Sequence, residues 1–473
     1  MKTRITLLVF LVGFFSLTAS AELVTWIGSA AGEWTTAANW STTAVPGAVD
    51  DVIIPANYIV TVSTGAGTIN SLSVEGKLIV AQTGSLTVEQ NTALTSAVAT
   101  NPIVKLFGGE IENAGTMTLK NSNSNQNSIV LFDNNVEFDN KLINNGILNI
   151  DNIAGTYSGT AGRCISAKQG AEGRTSTFKL GGTLNLNLKA TSVFVEADGG
   201  NLIVDGNLSI GSTDNNLNLR FLKLIGQGAI TIAQTANIAF YSGFVSGNGA
   251  VNIQSSQATT PGATFTNNGH LKLIGGEATT GYGVYLNANG ANALATFNNN
   301  GILEVNGNFP MGALYIGGNA TGINTINNAA AGQILLYNPN PATSVLKMSG
   351  TITTVPPLTL NNDGVIKVST ESHNLLSATA INGTGTIEYN YIAGVKPIAE
   401  FKGKVFASKQ AINIQLVSGE KAQFVISDIT GKIVKTGFLF EQSNIINTEK
   451  LQGIYIVKLL LRDGSYVQKV SLK

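Results

Sequence analysis

The side chains able to do chemistry are few in this chain of 473 residues, which has two histidines and one cysteine. His270 follows a repeated glycine, at a position that other copies of the repeat fill with Thr116, Ile147, Ile302 or Val365. A position so permissive belongs on a surface. His373 lies in Glu371-Ser-His373 with no nucleophile pattern beside it, and no Gly-x-Ser-x-Gly elbow occurs. A Ser-His-Asp triad needs its members together only in space, so the sequence leaves that arrangement open.

Carboxylates are the next resource. Polysaccharide lyases and glycosidases use paired acids, calcium, or a Lys or Arg base in a groove. Between about residues 93 and 395 the acids are scattered: Asp133, Asp139, Asp151, Asp198, Asp205, Asp214 and Asp363, with a few glutamates. Glu110 and Glu112 make the best pair, because alternate strand positions face one side. As a solvated outer face, that pair needs no function. Asp50 and Asp51 fall far short of the six to eight oxygens that calcium takes, and no Gly-Gly-x-Gly-x-Asp repeat occurs. No catalytic residue, metal ligand set or cofactor is therefore expected, and the chain reads as a non-enzyme.

Aromatic residues offer binding in place of catalysis. Tyr282, Tyr285, Phe309, Tyr315 and Tyr337 cluster late in the chain. Facing outward along one edge they would make a strip for a glycan or a partner protein, with Tyr282, Tyr285 and Tyr315 the candidates. Facing inward they fill the core. Cys164 aligns with Tyr285 and Tyr315 in the repeat frame, and a packed or half-buried thiol is expected. A single cysteine excludes an intrachain disulfide.

The elements that would carry these residues repeat. Phe265-Thr-Asn267-Asn-Gly269-His-Leu271-Lys-Leu273 returns as Phe297-Asn-Asn299-Asn-Gly301-Ile-Leu303-Glu-Val305. Further copies hold Asn113/Gly115, Asn144/Gly146 and Asn362/Gly364, and looser ones centre on Gly182, Gly206, Gly228, Gly249 and Gly385. Apolar residues alternate with polar ones on both sides of the glycine, which is the period of strands with one buried face. Asn-x-Gly predicts a tight bend with positive φ at glycine. A unit this short buries its apolar face only by stacking on its neighbours, as in a parallel β-helix. The asparagines at one corner would then stack as an amide ladder. Longer copies carry a further strand, as in Arg163-Cys164-Ile165-Ser166, Val284-Tyr285-Leu286 and Leu314-Tyr315-Ile316. Three strands per turn give a triangular section, with loops at 275–283, 287–296, 306–312 and 369–380 on one edge.

Composition agrees. Lys+Arg and Asp+Glu both number 28, which argues against a nucleic-acid partner. Residues 1–21 read as a secretory leader, with Lys2 and Arg4, an apolar run from Ile5 to Leu17, and Ala19-Ser20-Ala21 for cleavage. The block 22–67 holds all three tryptophans, Trp26, Trp34 and Trp40, with Asp50-Asp51-Val52-Ile-Ile54-Pro55. A lid over the open core end accounts for them, and sugar stacking is the alternative. The block resembles the start of many secreted bacterial β-helix proteins, notably of Bacteroidetes type.

Repeats run over 68–395. The segment 396–473 has denser charge and short alternating strands, as in a small β-sandwich of immunoglobulin-like form. Asp428-Ile-Thr-Gly431-Lys432-Ile433-Val434, then Leu451-Gln-Gly453-Ile-Tyr455-Ile-Val457, then Lys473 after a last strand, resemble the type A C-terminal sorting domain of the type IX secretion system. Phe406-Ala-Ser-Lys-Gln410 stands where that family opens with a Pro-Asn-Pro turn. The resemblance implies a sorting signal at Asp428, Gly431, Lys432, Gly453, Tyr455 and Lys473. It also implies the type IX machinery as partner, export across the outer membrane, removal of the domain, and attachment to surface lipopolysaccharide or release. The expected fold is all-β, a right-handed parallel β-helix with a small C-terminal sandwich. The expected role is a secreted or surface rod that is structural, adhesive or binding toward a glycan or cell-surface ligand. The alternative is a polysaccharide-active enzyme or a glycan-binding protein.

Overall fold

The computed structural model describes residues 22–472 except 91–101, 122–127, 134–137, 153–162, 169–173, 189–192, 212–219, 226–227, 243–248, 256–261, 276–280, 291, 308, 310–311, 319–321, 338–345, 349–357, 370–379, 389–402, 409, 418–421, 430–431, 449–450 and 462–463. The leader 1–21, His373, Gly431 and Lys473 lie outside the described residues. The chain divides into two compact units, Met1–Tyr389 and Asn390–Lys473.

The first unit is a parallel β-solenoid with three faces. The first sheet has 12 strands, from Leu23–Thr25 to Leu346–Met348. The second runs from Ala31–Glu33 to Ala380–Asn382, and every pairing within both is parallel. The third face is built in two stretches. A 5-stranded sheet runs from Gly65–Ile69 to Thr183–Leu188, and a second begins in the long strand Asn201–Ile210 and ends at Thr386–Glu388. Strands of residues 22–67 already pair with later turns, Asp51 with Ser71 and Ile59 with Lys77.

Alternation decides which side chains go in. Along Ser85–Gln90, Leu86 and Val88 are buried while Thr87 and Glu89 face out. Phe265 and Phe297 stack in the core with ring centroids 5.3 Å apart. The N-terminal end is closed by Trp26, Trp34 and Trp40, all at most 1% exposed. Their rings meet edge to face, at 5.0 Å for Trp26–Trp40 and 4.8 Å for Trp34–Trp40. Trp40 Nε1 donates to the Trp34 carbonyl at 2.7 Å. Rings so enclosed have no free face on which a sugar could stack.

The corner between the second and third faces carries the amide ladder. Asn113 Nδ2 donates to Asn144 Oδ1 at 2.6 Å. A second run links Asn267 to Asn299, Asn299 to Asn328 and Asn328 to Asn362, at 2.9, 2.8 and 2.7 Å. Each amide also caps a backbone carbonyl of the next turn, as Asn267 does at Ile302. The preceding turns hold Val80 and Ile232 in register, so the Oδ1 of Asn113 and of Asn267 has no partner. After Asn144 the register position is Leu180, then Gly206, and the ladder lapses where the third face changes sheet.

Two expectations need correction, and one ladder residue was not foreseen. The phrase glycines Gly115, Gly146, Gly269, Gly301 and Gly364 do not have positive φ. They are needed because the carbonyls of the previous turn pass too close for a Cβ; at Gly301 the obstacle is the Gly269 oxygen. The copies centred on Gly228 and Gly249 are not that corner, since Gly228 opens a second-sheet strand and Gly249 a first-sheet one. Ala233 and Ala236 make the bend there. Asn328 is a ladder member outside the phrase, followed by three alanines before Gly332.

The second unit packs a 3-stranded antiparallel sheet (Lys404–Ser408, Ala411–Gln415, Ser443–Asn447) against a 4-stranded one (Ala422–Asp428, Ile433–Leu439, Gly453–Leu461, Gly464–Leu472). Ile412 and Ile414 from one sheet meet Ile426, Val457 and Leu459 from the other in a common core.

Candidate functional site

The tyrosine candidates lie on the first sheet. Tyr282 opens the strand Tyr282–Ala288 rather than lying in a loop, and Tyr285 pairs in register with Tyr315. Val284 and Leu286 point into the core, so Tyr285 points out. Tyr282 and Tyr315 stack with centroids 3.9 Å apart, and Tyr285 sits 5.2 and 5.3 Å from them. Tyr282 is buried and the other two are half-buried. Burial, then the hydrogen bond with Tyr315, pushes the Tyr282 phenol well above its ordinary pKa, and burial raises Tyr285 too. Tyr282 and Tyr285 are therefore neutral phenols. Phe309 is in the core and Tyr337 ends a third-face strand, so the strip is a trio and not a line of five.

Following the register from Tyr285 toward the N-terminus leads through Asn252, Lys223 and Glu196 to Ser166. Cys164 is therefore two residues out of the tyrosine frame. It packs in the core, fully buried, with its thiol pushed up to about 12 by burial. Glu196 is 1% exposed. Arg163 Nε is 2.6 Å from one oxygen, off hydrogen-bond angle, and Lys223 Nζ is 3.4 Å from the other. Burial lowers the Lys223 pKa against the pull of Glu196, with Arg220 adding to the effect. The sequence hides this cluster because its members come together only through strand register.

The acid pair Glu110 and Glu112 does share one outer side, and one ammonium sits between them. Lys77 Nζ is 2.9 Å from Glu110 and 2.8 Å from Glu112, with Lys141 at 3.9 Å from Glu110. Burial works against the Glu110 carboxylate, but Lys77, Glu112 and Lys141 together hold the pKa below the ordinary value. A general acid needs the opposite shift. Glu110, but not Glu112, lines an open groove of about 510 Å³, with Lys77, Lys141, Tyr58, Phe138, Asp139 and Arg174. His270 stands on the third face with Nε2 3.7 Å from Glu304, whose other oxygen is 3.0 Å from Lys272. Burial would raise Glu304, but His270 and Lys272 together hold it low. Asp50 and Asp51 are taken up locally, by the Gly47 amide and by Asn70 and Ser71.

In the second unit Asp428 closes the hairpin loop. Its Oδ1 accepts from the Lys432 amide at 3.1 Å, and its own amide donates to the Lys432 carbonyl at 3.0 Å. Asp428 pairs in register with Tyr455, whose hydroxyl donates to the Gln452 carbonyl. Gly453 has φ +111°, so glycine is required there. Asp428, Gly453 and Tyr455 thus act as turn and register devices, and Lys432 is exposed to solvent.

Comparison with curated proteins and with solved structures finds no match to the chain. A protein-family model described as a secretion system C-terminal sorting domain matches residues 408–473. The chain is a parallel β-helix that carries a secretion system C-terminal sorting domain, and that domain assigns it to export through the type IX machinery.

Proposed function

We propose that the solenoid is the displayed part of an exported protein and acts as a non-enzymatic binding or structural rod on the cell surface or after release. Attachment to lipopolysaccharide after removal of the sorting domain is part of this reading. The observation that carries it is the state of the acids. Glu110, Asp205 and Glu304 all have depressed pKa values with neighbouring cations or hydroxyls in contact, which supports a role in tying turns together and none in moving protons.

A second reading, a glycan-binding surface, is favoured by the half-buried Tyr285 and Tyr315, which lie on the outer face of the first sheet in a register that leads through Asn252 to Lys223 and Glu196. A glycan array and a reducing-end assay on the full chain separate the readings. No release of reducing ends is expected from any polysaccharide. Release that is lost in Glu110→Gln or Glu112→Gln would overturn the non-enzymatic reading.

A further inference from the structure

The outer face of the second sheet changes character along the rod. In the early turns it carries Lys77, Glu110, Glu112, Lys141, Lys179 and Asp205. From Gly228 onward its two central ranks hold no charged and no aromatic side chain among the described residues. One rank is Thr264, Thr296, Thr325 and Thr359, each in register with the next. The other is Thr231, Thr266, Asn298, Asn327, Asn361 and Asn382. Phe265, Phe297, Ile326 and Leu360 lie between the ranks in sequence and point into the core.

This second rank is a fixed ladder of its own. Asn298 Nδ2 donates to Thr266 Oγ1 at 3.3 Å, Asn327 to Asn298 at 2.8 Å, Asn361 to Asn327 at 2.7 Å and Asn382 to Asn361 at 3.0 Å. Asn298, Asn327 and Asn361 each spend one N–H and one lone pair on their neighbours, which leaves one N–H and one lone pair apiece outside the ladder. Threonine is stiff at χ1, so the other rank is held as well. The result is a rigid lattice of hydroxyl, methyl and amide groups, about 4.8 Å apart along the axis and about 6.6 Å between ranks.

Concave sites with converging polar groups suit small ligands. This surface is one face of a parallel sheet that repeats along the axis in two ranks, so a ligand that matches it must repeat too. A polymer with carboxylates or sulfates has no cation to meet here. A crystalline polysaccharide, whose exposed faces are bound through coplanar aromatic rings, has no ring to meet. The oxygen lattice on the prism faces of hexagonal ice has a repeat of similar size in both directions. We infer that the Thr/Asn face of the second sheet between Thr231 and Asn382 orders water in an ice-like array and binds ice. The third face has a smaller Thr/Asn rank, Thr87, Thr118, Asn149 and Asn185, but Glu89, Lys120 and Asp151 run beside it and break the neutral lattice. This inference deepens the binding-rod reading by naming the surface bound.

The test is partition of the full chain into a slowly growing ice shell, with inhibition of ice recrystallisation as second readout. The chain is expected to enrich in ice and to keep crystals small. Thr296→Tyr and Thr325→Tyr, which point to solvent mid-lattice, are expected to lose both effects with an unchanged melting curve. Ile79→Tyr, on the charged part of the same sheet, is expected to keep them. Exclusion of the native chain from ice would overturn the inference, as would full activity in both lattice variants. Retention on insoluble cellulose or chitin without ice partition would also overturn it and name the other crystal. The assay of reducing ends is separate: its outcome bears on the non-enzymatic reading, and failure of ice binding alone leaves that reading standing.

Discussion

The side-chain amide of Asn299 donates to Asn328 Oδ1 across 2.8 Å, joining a turn that carries the Asn-x-Gly phrase to one that does not. Both residues are buried, so the bond is made where an unmet partner would cost most.

Position along the ladder should therefore matter more than residue type. Asn299→Leu removes a middle rung and takes the side-chain partner from Asn267 on one side and Asn328 on the other. About 2–4 kcal/mol of destabilisation is expected. Asn267→Leu removes an end rung whose own Oδ1 is already unmet, and is expected to cost about half as much. Urea melts followed by far-ultraviolet circular dichroism read the difference; equal losses would contradict the ladder account.

The tryptophan lid is expected to act as a unit. Trp40 touches both Trp26 and Trp34 edge to face, so Trp40→Ala opens a cavity at the end of the core. A loss of about 3–5 kcal/mol is expected, seen as an earlier near-ultraviolet transition on heating.

Glu196→Gln is expected to destabilise by about 3–5 kcal/mol, because it leaves Arg163 and Lys223 partly buried with no countercharge. Added salt should recover part of the loss, since the residual repulsion is screened. A melting temperature indifferent to the substitution would show that the pair contributes nothing net.

Acid should weaken the solenoid. The native pKa values of Glu110, Asp205 and Glu304 are depressed, so their contribution is full above the unfolded-state values and fades as pH falls through the native ones. Stability is expected to be flat near neutrality and to decline from about pH 4.5 downward. Glu304→Gln should flatten that decline in melts repeated across the range.

Cys164 should resist alkylation. Burial holds its thiol at about 12, so thiolate is scarce at pH 8 and no reagent reaches it. Iodoacetamide is expected to label the chain only in denaturant; labelling at the native rate of a free thiol would place the residue at the surface.

Much of this architecture can be read from the sequence, because alternation and the Asn-x-Gly phrase are local signals. Turns without the phrase were misplaced: Gly228 and Gly249 sit at other corners, and Ala233 with Ala236 makes a bend that no glycine marks. The Glu196 cluster was invisible, since Arg163, Glu196 and Lys223 belong to three different turns and meet only through register. The threonine rank did leave a trace, a threonine three residues before each buried ladder asparagine of the later turns, as in Thr264-Phe265-Thr266-Asn267 and Thr359-Leu360-Asn361-Asn362. Its meaning depends on knowing that those positions share an outer face.

At the level of Leu180 and Gly206 the amide run is absent and the third face passes from one sheet to the next. Only the first and second sheets carry strand pairing across that plane. Pulled lengthwise, as a tether in flowing water is pulled, the column should part there first and yield two shorter columns, each still folded. Single-molecule extension would show this as an early, separate rip, and Leu180→Asn should raise the force at which it occurs.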